Sequence, residues 1–276
     1  MSSLGRLLVR SRPRFWLYLA GPVLVGAAFG ATELVDLRSP FVLALLAYAL
    51  WPANLFLYGV NDVFDAEIDE DNPKKAGREA RWRGDRLTLV AVATSALLWV
   101  GLLAASPAAA TPWLAGFLVL GWAYSAPPLR LKTRPPLDAL SNVLYVLPGV
   151  AAYAALTGGP PPALALVGAW AWTAAMHAFS AIPDVGPDRA AGIRTTATVL
   201  GERRTLVACA AAWLVAAAAF GLLHPLAGVL MAVYPLAALS LAWGDVPVRR
   251  AYWWYPGLNA GVGAVLTVAG LWGLYA

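Results

Sequence analysis

Residues 205–223 read Thr205-Leu206-Val207-Ala208-Cys209-Ala210-Ala211-Ala212-Trp213-Leu214-Val215-Ala216-Ala217-Ala218-Ala219-Phe220-Gly221-Leu222-Leu223, a stretch with no charged side chain. At 1.5 Å per residue a helix of this length crosses nearly the whole of a hydrocarbon core about 30 Å thick. The run is apolar on every side, without the alternation of a lipid-facing strand, so a helix is required to satisfy its backbone. Working outward, eight further stretches have the same character, near residues 15–34, 40–60, 87–105, 109–126, 138–157, 162–183, 225–243 and 254–275. The composition agrees, with 60% of the 276 residues apolar, 13% charged and a mean hydropathy of +0.65. A soluble domain carries about 25% charged residues, so a water-soluble fold is excluded. Cys209 is the single cysteine, which excludes an internal disulfide and a cysteine-cluster metal site. The expected class is an all-α membrane protein of nine transmembrane helices, forming one integral-membrane domain over residues 1–276.

The basic residues orient it. Arg6, Arg10, Arg12 and Arg14 precede the first span. Lys74, Lys75, Arg78, Arg81, Arg83 and Arg86 fill the second loop. Arg130, Lys132 and Arg134 lie in the fourth loop, Arg189, Arg194, Arg203 and Arg204 in the sixth, and Arg249 and Arg250 in the eighth. All but Arg38 of the 20 basic residues therefore share one side, which the positive-inside rule makes cytoplasmic, with the N-terminus there and the C-terminus outside. The basic start before an apolar run is shared with signal peptides, but the run is long and no small-residue cleavage site follows, so an uncleaved first helix is expected. Topology and anionic headgroups account for the net charge of +5 without a nucleic-acid partner. Pro22, Pro52, Pro148 and Pro235 mark expected kinks.

The polar chemistry concentrates in the second, fourth and sixth loops. After the second span stands Asn61-Asp62-Val63-Phe64-Asp65-Ala66-Glu67-Ile68-Asp69-Glu70-Asp71. On a helix Asn61, Asp65 and Asp69 share a face, and Asp62 joins them beside Asp65. Carboxylates so close repel one another and call for a cation. Magnesium takes hard oxygen ligands and leaves positions for phosphate oxygens, so the row fits Mg²⁺ with a phosphorylated ligand. After the sixth span comes Pro183-Asp184-Val185-Gly186-Pro187-Asp188-Arg189, with Asp184 and Asp188 again at i and i+4. The separation from Asp65 to Asp184 equals that from Asp69 to Asp188, a weak internal duplication. Gly186-Pro187 between these aspartates raises the expectation of a helix break, since proline removes a backbone donor. Solvated acidic loops that merely balance the basic excess are the alternative, disfavoured by two aspartate pairs at helical spacing.

With these motifs the sequence resembles the UbiA superfamily of intramembrane prenyltransferases. Asn61, Asp65 and Asp69 match its N-x-x-x-D-x-x-x-D signature, and Asp184 and Asp188 its D-x-x-x-D signature. Tyr124-Ser125-Ala126-Pro127-Pro128-Leu129-Arg130-Leu131-Lys132 is similar to a third signature whose basic residue contacts diphosphate. The resemblance implies nine helices around a central, laterally open cavity, and Mg²⁺-dependent prenyl transfer from an allylic diphosphate. It also implies roles: Asp62, Asp65, Asp69, Asp184 and Asp188 for Mg²⁺, of which Asp65, Asp69, Asp184 and Asp188 are catalytic. Asn61 would contact metal or diphosphate, and Tyr124, Arg130 and Lys132 the diphosphate. Lys74, Lys75 and Arg78 are further candidates for that role. The active site would face the cytoplasm from the cell membrane.

An allylic cation needs a dry cavity with aromatic walls. Tyr58, Tyr124, Tyr145, Trp122, Trp172 and Phe179 are candidates, against interfacial anchoring or core packing as the ordinary use of such rings. His177 stands two turns before Asp184; it could hydrogen-bond substrate or remove a proton, against the ordinary use of a neutral histidine bonded to a neighbouring helix. The stretches 124–149 and 177–201 look most like the lycopene elongase branch, which adds five-carbon units from dimethylallyl diphosphate to lycopene. Prenylation of an aromatic or quinone precursor is the rival reading. Transport of a phosphorylated lipid is a more remote one, because no acid or base lies well inside a span.

Overall fold

Every one of the nine apolar stretches folds as helix, because a chain surrounded by lipid has no other local way to pair its N–H and C=O groups. The computed structural model describes residues 3–64 and 84–274. In chain order the helices are α1 Ser3–Arg10, α2 Leu17–Gly30, α3 Pro40–Leu50, α4 Pro52–Phe64, α5 Arg86–Ala104, α6 Thr111–Ser125, α7 Leu137–Leu140 and α8 Leu147–Thr157. Then follow α9 Ala163–Ala181, α10 Val185–Ala190, α11 Thr196–Leu200, α12 Glu202–Leu223, α13 Pro225–Met231, α14 Val233–Trp243 and α15 Val248–Trp272. No strand occurs among the described residues.

The stretches are less uniform than their composition. Five helical segments are long and apolar enough to cross a bilayer: Pro40–Phe64, Arg86–Ala104, Ala163–Ala190, Glu202–Leu223 and Pro225–Trp243. A sixth is counted if Leu137–Tyr145 and Leu147–Thr157, bent by 41°, form one span. α2 and α6 are shorter, at 14 and 15 residues. The expected kinks resolve into two kinds. Pro52 opens α4 and Pro148 and Pro235 fall in the first turns of α8 and α14, where an N–H would have no intrahelical acceptor. Pro22 alone of the four stands inside its helix.

The chain divides into two compact units. The first comprises residues 1–129, 147–160 and 267–276. Its close crossing is α2 against α8: a Cβ on Gly26 would run into the Gly149 carbonyl oxygen, and one on Gly149 into that of Pro22. Backbone cannot yield as a side chain can, so glycine is obligatory at both positions, as is common where membrane helices pack by van der Waals contact. Between α5 and α6, fully buried Trp99 donates its indole N–H to the Leu114 carbonyl at 2.9 Å and lies between Tyr48 and Phe117. The second unit comprises residues 130–146 and 161–266. There α9 packs on α12, Trp213 donates to the Trp172 carbonyl at 3.2 Å, and Phe179 stacks on Tyr255 with ring centroids 4.8 Å apart. Both units turn apolar side chains outward, for example Leu97, Leu222, Val229 and Trp254, each more than two-thirds exposed. In water that surface would aggregate; in lipid it is the solvated face.

Candidate active site

In the first unit the acidic end of α4 is built around a buried carboxylate. Asp62 is 1% exposed, and Arg12 brings its Nη2 to 3.5 Å from Oδ1. The Arg12 guanidinium also lies over the Tyr58 ring, 4.5 Å from its centroid. Tyr58 and Asp62 are one turn apart on α4, so a single guanidinium meets both. Arg12 has φ 49°, in the left-handed region that costs a residue with a Cβ about 1–2 kcal/mol. The next residue is Pro13, whose ring bars the right-handed helical region to its predecessor. The chain thus turns between α1 and the short 3-10 helix Pro13–Phe15 at Arg12. Asn61 accepts at Oδ1 from the Ser125 hydroxyl at 3.3 Å, which brings the first signature to the third within this unit. Tyr124, half-buried, occupies the last turn of α6.

Upstream, Arg10 and Asp85 form an ion pair at 2.6 Å, and Asp85 caps α5 by accepting from the Thr88 N–H at 3.0 Å. Partial burial pushes the Asp85 carboxyl up, but the Thr88 N–H and hydroxyl, with Arg10 and Arg6, outweigh it and hold the group below the usual carboxylate range. Asp65, Asp69, Lys74, Lys75 and Arg78 lie outside the described residues.

In the second unit the expected break has moved. α9 ends at Ala181, a 3-10 turn covers Ile182–Asp184, and α10 then runs through Gly186-Pro187 to Ala190. The interruption falls at Pro183 and not between the aspartates, because Pro187 is the third residue of α10, where its missing N–H breaks no bond. Asp184 and Asp188 therefore keep one turn of separation on one face, both half-buried. Neighbouring Arg189 donates from Nε and Nη2 to the Thr198 carbonyl oxygen at 3.2 and 2.7 Å, which ties α10 to α11. Thr195 and Thr198 close a capping box at the start of α11.

Arg130 and Lys132, from the third signature, are half-buried in the same unit. Arg130 has φ 41°; it and Arg12 are the two non-glycine residues in the left-handed region among the described residues, and each precedes a short 3-10 turn. Eight residues beyond Arg130 is Asp138, fully buried. Its Oδ2 accepts from the Thr196 N–H at 2.7 Å and its Oδ1 from the Thr196 hydroxyl at 2.5 Å. Asp138 thus joins the basic loop to the segment that follows the second acidic motif.

Reading the sequence alone passed over Arg12, Asp138 and Thr196. Arg12 was legible as a residue constrained by Pro13, but Asp138 has no motif around it. Among the aromatic candidates, Phe179 is 2% exposed and belongs to the core. Trp122 is half-exposed and lines, with Leu118 and Pro128, an apolar groove of about 320 Å³ on the first unit.

Among the described residues no three His, Cys, Asp or Glu side chains gather into a metal site. Asp184 and Asp188 nonetheless suit magnesium, which binds through one or two carboxylates plus phosphate oxygens and water and needs no all-protein cage.

Apolar helices of spanning length with outward apolar faces define a multi-pass helical membrane protein, with an acidic helix end in each unit. The chain belongs to the UbiA prenyltransferase family, which matches residues 19–254. It is 60% identical to a lycopene elongase/hydratase of Haloferax volcanii, over 97% of this chain and 89% of that protein. It is 54% identical to a lycopene elongase/hydratase of Halobacterium salinarum, over 97% of this chain and 98% of that one. It shares its fold with a UbiA homolog from Archaeoglobus fulgidus bound to DMAPP and Mg²⁺, at TM-score 0.72 and 18% identity, covering 98% of this chain and 99% of that one. The protein is thus a prenyltransferase and a multi-pass membrane protein.

Proposed function

We propose that the enzyme transfers the prenyl group of dimethylallyl diphosphate to a lycopene-like acceptor, as one catalytic domain of nine spans with its N-terminus and active site at the cytoplasmic face. The observation that carries this reading is identity above one-half, over nearly the full length, to two lycopene elongase/hydratases. The donor is supported by the DMAPP and Mg²⁺ bound to the structural neighbour.

In this reading Asp65, Asp69, Asp184 and Asp188 hold Mg²⁺, with Asp62 completing the first cluster beside Arg12. Bound there, Mg²⁺ neutralises the charge that develops on the diphosphate as it leaves. Asn61 and Tyr124 orient the donor, and Arg130, Lys132, Lys74 and Arg78 stabilise the departing oxygens. The allylic C–O pair leaves with the diphosphate, and an alkene pair of the acceptor makes the new C–C bond. Excluding water until then is the task of the apolar interior. The acceptor needs few polar contacts, because it enters from the lipid.

Membranes containing the protein, given labelled dimethylallyl diphosphate, lycopene and Mg²⁺, should yield carotenoids lengthened by five-carbon units, with release of diphosphate that stops on chelation. Unchanged lycopene with labelling of a hydroxybenzoate would support the aromatic acceptor instead. Substrate movement without diphosphate release would support transport.

A further inference from the structure

The second unit supplies its proposed diphosphate and metal contacts from two separate irregular segments, Arg130 and Lys132 from one and Asp184 and Asp188 from the other. The elements that carry them are short: the 3-10 turn Leu131–Thr133, α7 with 4 residues, α10 with 6 and α11 with 5. Helices of one or two turns do not hold their shape alone, so each depends on ties to its surroundings. A diphosphate site needs both segments in fixed register, because charges that stabilise a leaving group act only where they are aimed.

We propose that Asp138 and Thr196 are positioning residues that set this register, clamping the Arg130 loop to the segment that follows Asp188. The inference rests on the reading under Proposed function. A chain of hydrogen bonds within the second unit carries it. Arg130 has a left-handed backbone, which persists only where its surroundings impose it. Its carbonyl accepts from the N–H and the hydroxyl of Thr133, each at 3.1 Å. The Leu131 carbonyl accepts from the Arg134 N–H at 3.0 Å, and the Arg134 carbonyl from the Asp138 N–H at 3.2 Å. At Asp138 the chain crosses to the other segment, through the N–H and the hydroxyl of Thr196 at 2.7 and 2.5 Å. Thr195 and Thr198 brace that segment by their capping box, and the Thr198 carbonyl accepts from Arg189, the neighbour of Asp188. The Asp188 carbonyl in turn accepts from the Ile193 N–H at 2.8 Å.

Asp138 is the hub of this chain. It is fully buried, and its N–H, its carbonyl and both side-chain oxygens are all engaged, the carbonyl by Asn142 at 2.6 Å. A separate tie fixes the far end of α7, where Trp170 of α9 donates its indole N–H to the Leu140 carbonyl at 2.9 Å. α9 is the helix that leads into the second acidic motif. Burying a carboxylate adds little stability over apolar side chains of the same volume. Two bonds to one threonine do fix both the distance and the direction at which two segments meet, where apolar contact would let them slide. What the clamp supplies is therefore register.

The test is the affinity of the purified protein in detergent for inorganic pyrophosphate with Mg²⁺, measured by calorimetry. Asp138→Ala removes both acceptors and Thr196→Val removes the hydroxyl donor. Each should weaken binding by about tenfold or more, the loss expected when a hydrogen bond to a charged group is displaced. The KM for dimethylallyl diphosphate should rise with it, while the KM for lycopene stays unchanged. Thr196→Ser keeps the hydroxyl and should bind as wild type does, and the double variant Asp138→Ala with Thr196→Val should be no weaker than Asp138→Ala alone. A merely structural role would lower the melting temperature and the active fraction, while the surviving molecules bound pyrophosphate with wild-type affinity. Wild-type affinity in both Asp138→Ala and Thr196→Val would therefore overturn the inference, as would Thr196→Ser losing as much as Thr196→Val. Should Asp138→Ala fail to accumulate, the comparison of Thr196→Val with Thr196→Ser decides alone: a loss confined to valine supports the clamp, and equal affinities overturn it. A wild-type protein that binds no pyrophosphate with Mg²⁺ would count against the proposed function itself, while wild-type binding that the variants leave unmoved would count against this inference alone.

Discussion

The acidic ends of α4 and of α9–α10 carry similar sequence motifs but treat their carboxylates differently. In the first unit Asp62 is sealed from solvent and has a resident cation, Arg12, itself braced on the Tyr58 ring. In the second, Asp184 and Asp188 are half-buried, and the nearest arginine in sequence, Arg189, is bonded to the Thr198 carbonyl. A carboxylate removed from water needs a charged partner, and the Arg12 guanidinium is that partner for Asp62. Asp184 and Asp188 instead share one face at the start of α10.

The sharpest way to break this comparison is at the aspartates of the second unit. Asp184→Ala, like Asp65→Ala at the other motif, should lower turnover by at least about a hundredfold while the protein still inserts, since losing one strong electrostatic contact to a transition state costs about 3 kcal/mol. Most activity surviving in both would remove the metal assignment. Next in size is the Arg12–Asp62 pair. Arg12→Ala removes the guanidinium that meets the buried Asp62 carboxylate and should cost about 3 kcal/mol, read as a lower melting temperature in detergent. Asp62→Asn in the same chain should recover much of that loss, and a double-mutant cycle showing additivity would dissolve the pair. Arg189→Ala, which loosens α10 from α11, should cost about 2 kcal/mol, as for other hydrogen bonds made by a charged donor. A loss of activity as large as that of Asp184→Ala would instead place Arg189 on the diphosphate.

The smallest effect concerns Asp85. Its carboxyl is held below the usual range in the folded protein, so its contribution to stability is complete above the unfolded value and disappears as pH falls through the lower folded one. Melting temperature should thus decline on the acid side, and Asp85→Asn, which keeps an N-cap but removes the charge that meets Arg10, should flatten part of that decline.

Local features were legible without coordinates. Uninterrupted apolar runs require helices in lipid, and Asp184 and Asp188 stay on one face once Pro187 is seen to occupy a first turn. The prolines were legible only as positions: Pro52, Pro148 and Pro235 fall in the first turns of their helices, and at Pro148 the chain bends by 41° between Leu137–Tyr145 and Leu147–Thr157. Phe179 could be read as a cavity wall or as core from composition alone, and packing against Trp213 and Tyr255 made it core.

What the amino-acid sequence determined by itself is the class, helices with the bilayer as their solvent, and the motifs that mark the family. These follow from properties that act over one or two turns, hydropathy, period and charge. Only the tertiary structure decided that Arg12 answers Asp62, and that Thr196 holds both carboxylate oxygens of Asp138. Those pairings join positions about fifty residues apart, and their free energy comes from burial, which exists only after the helices have packed.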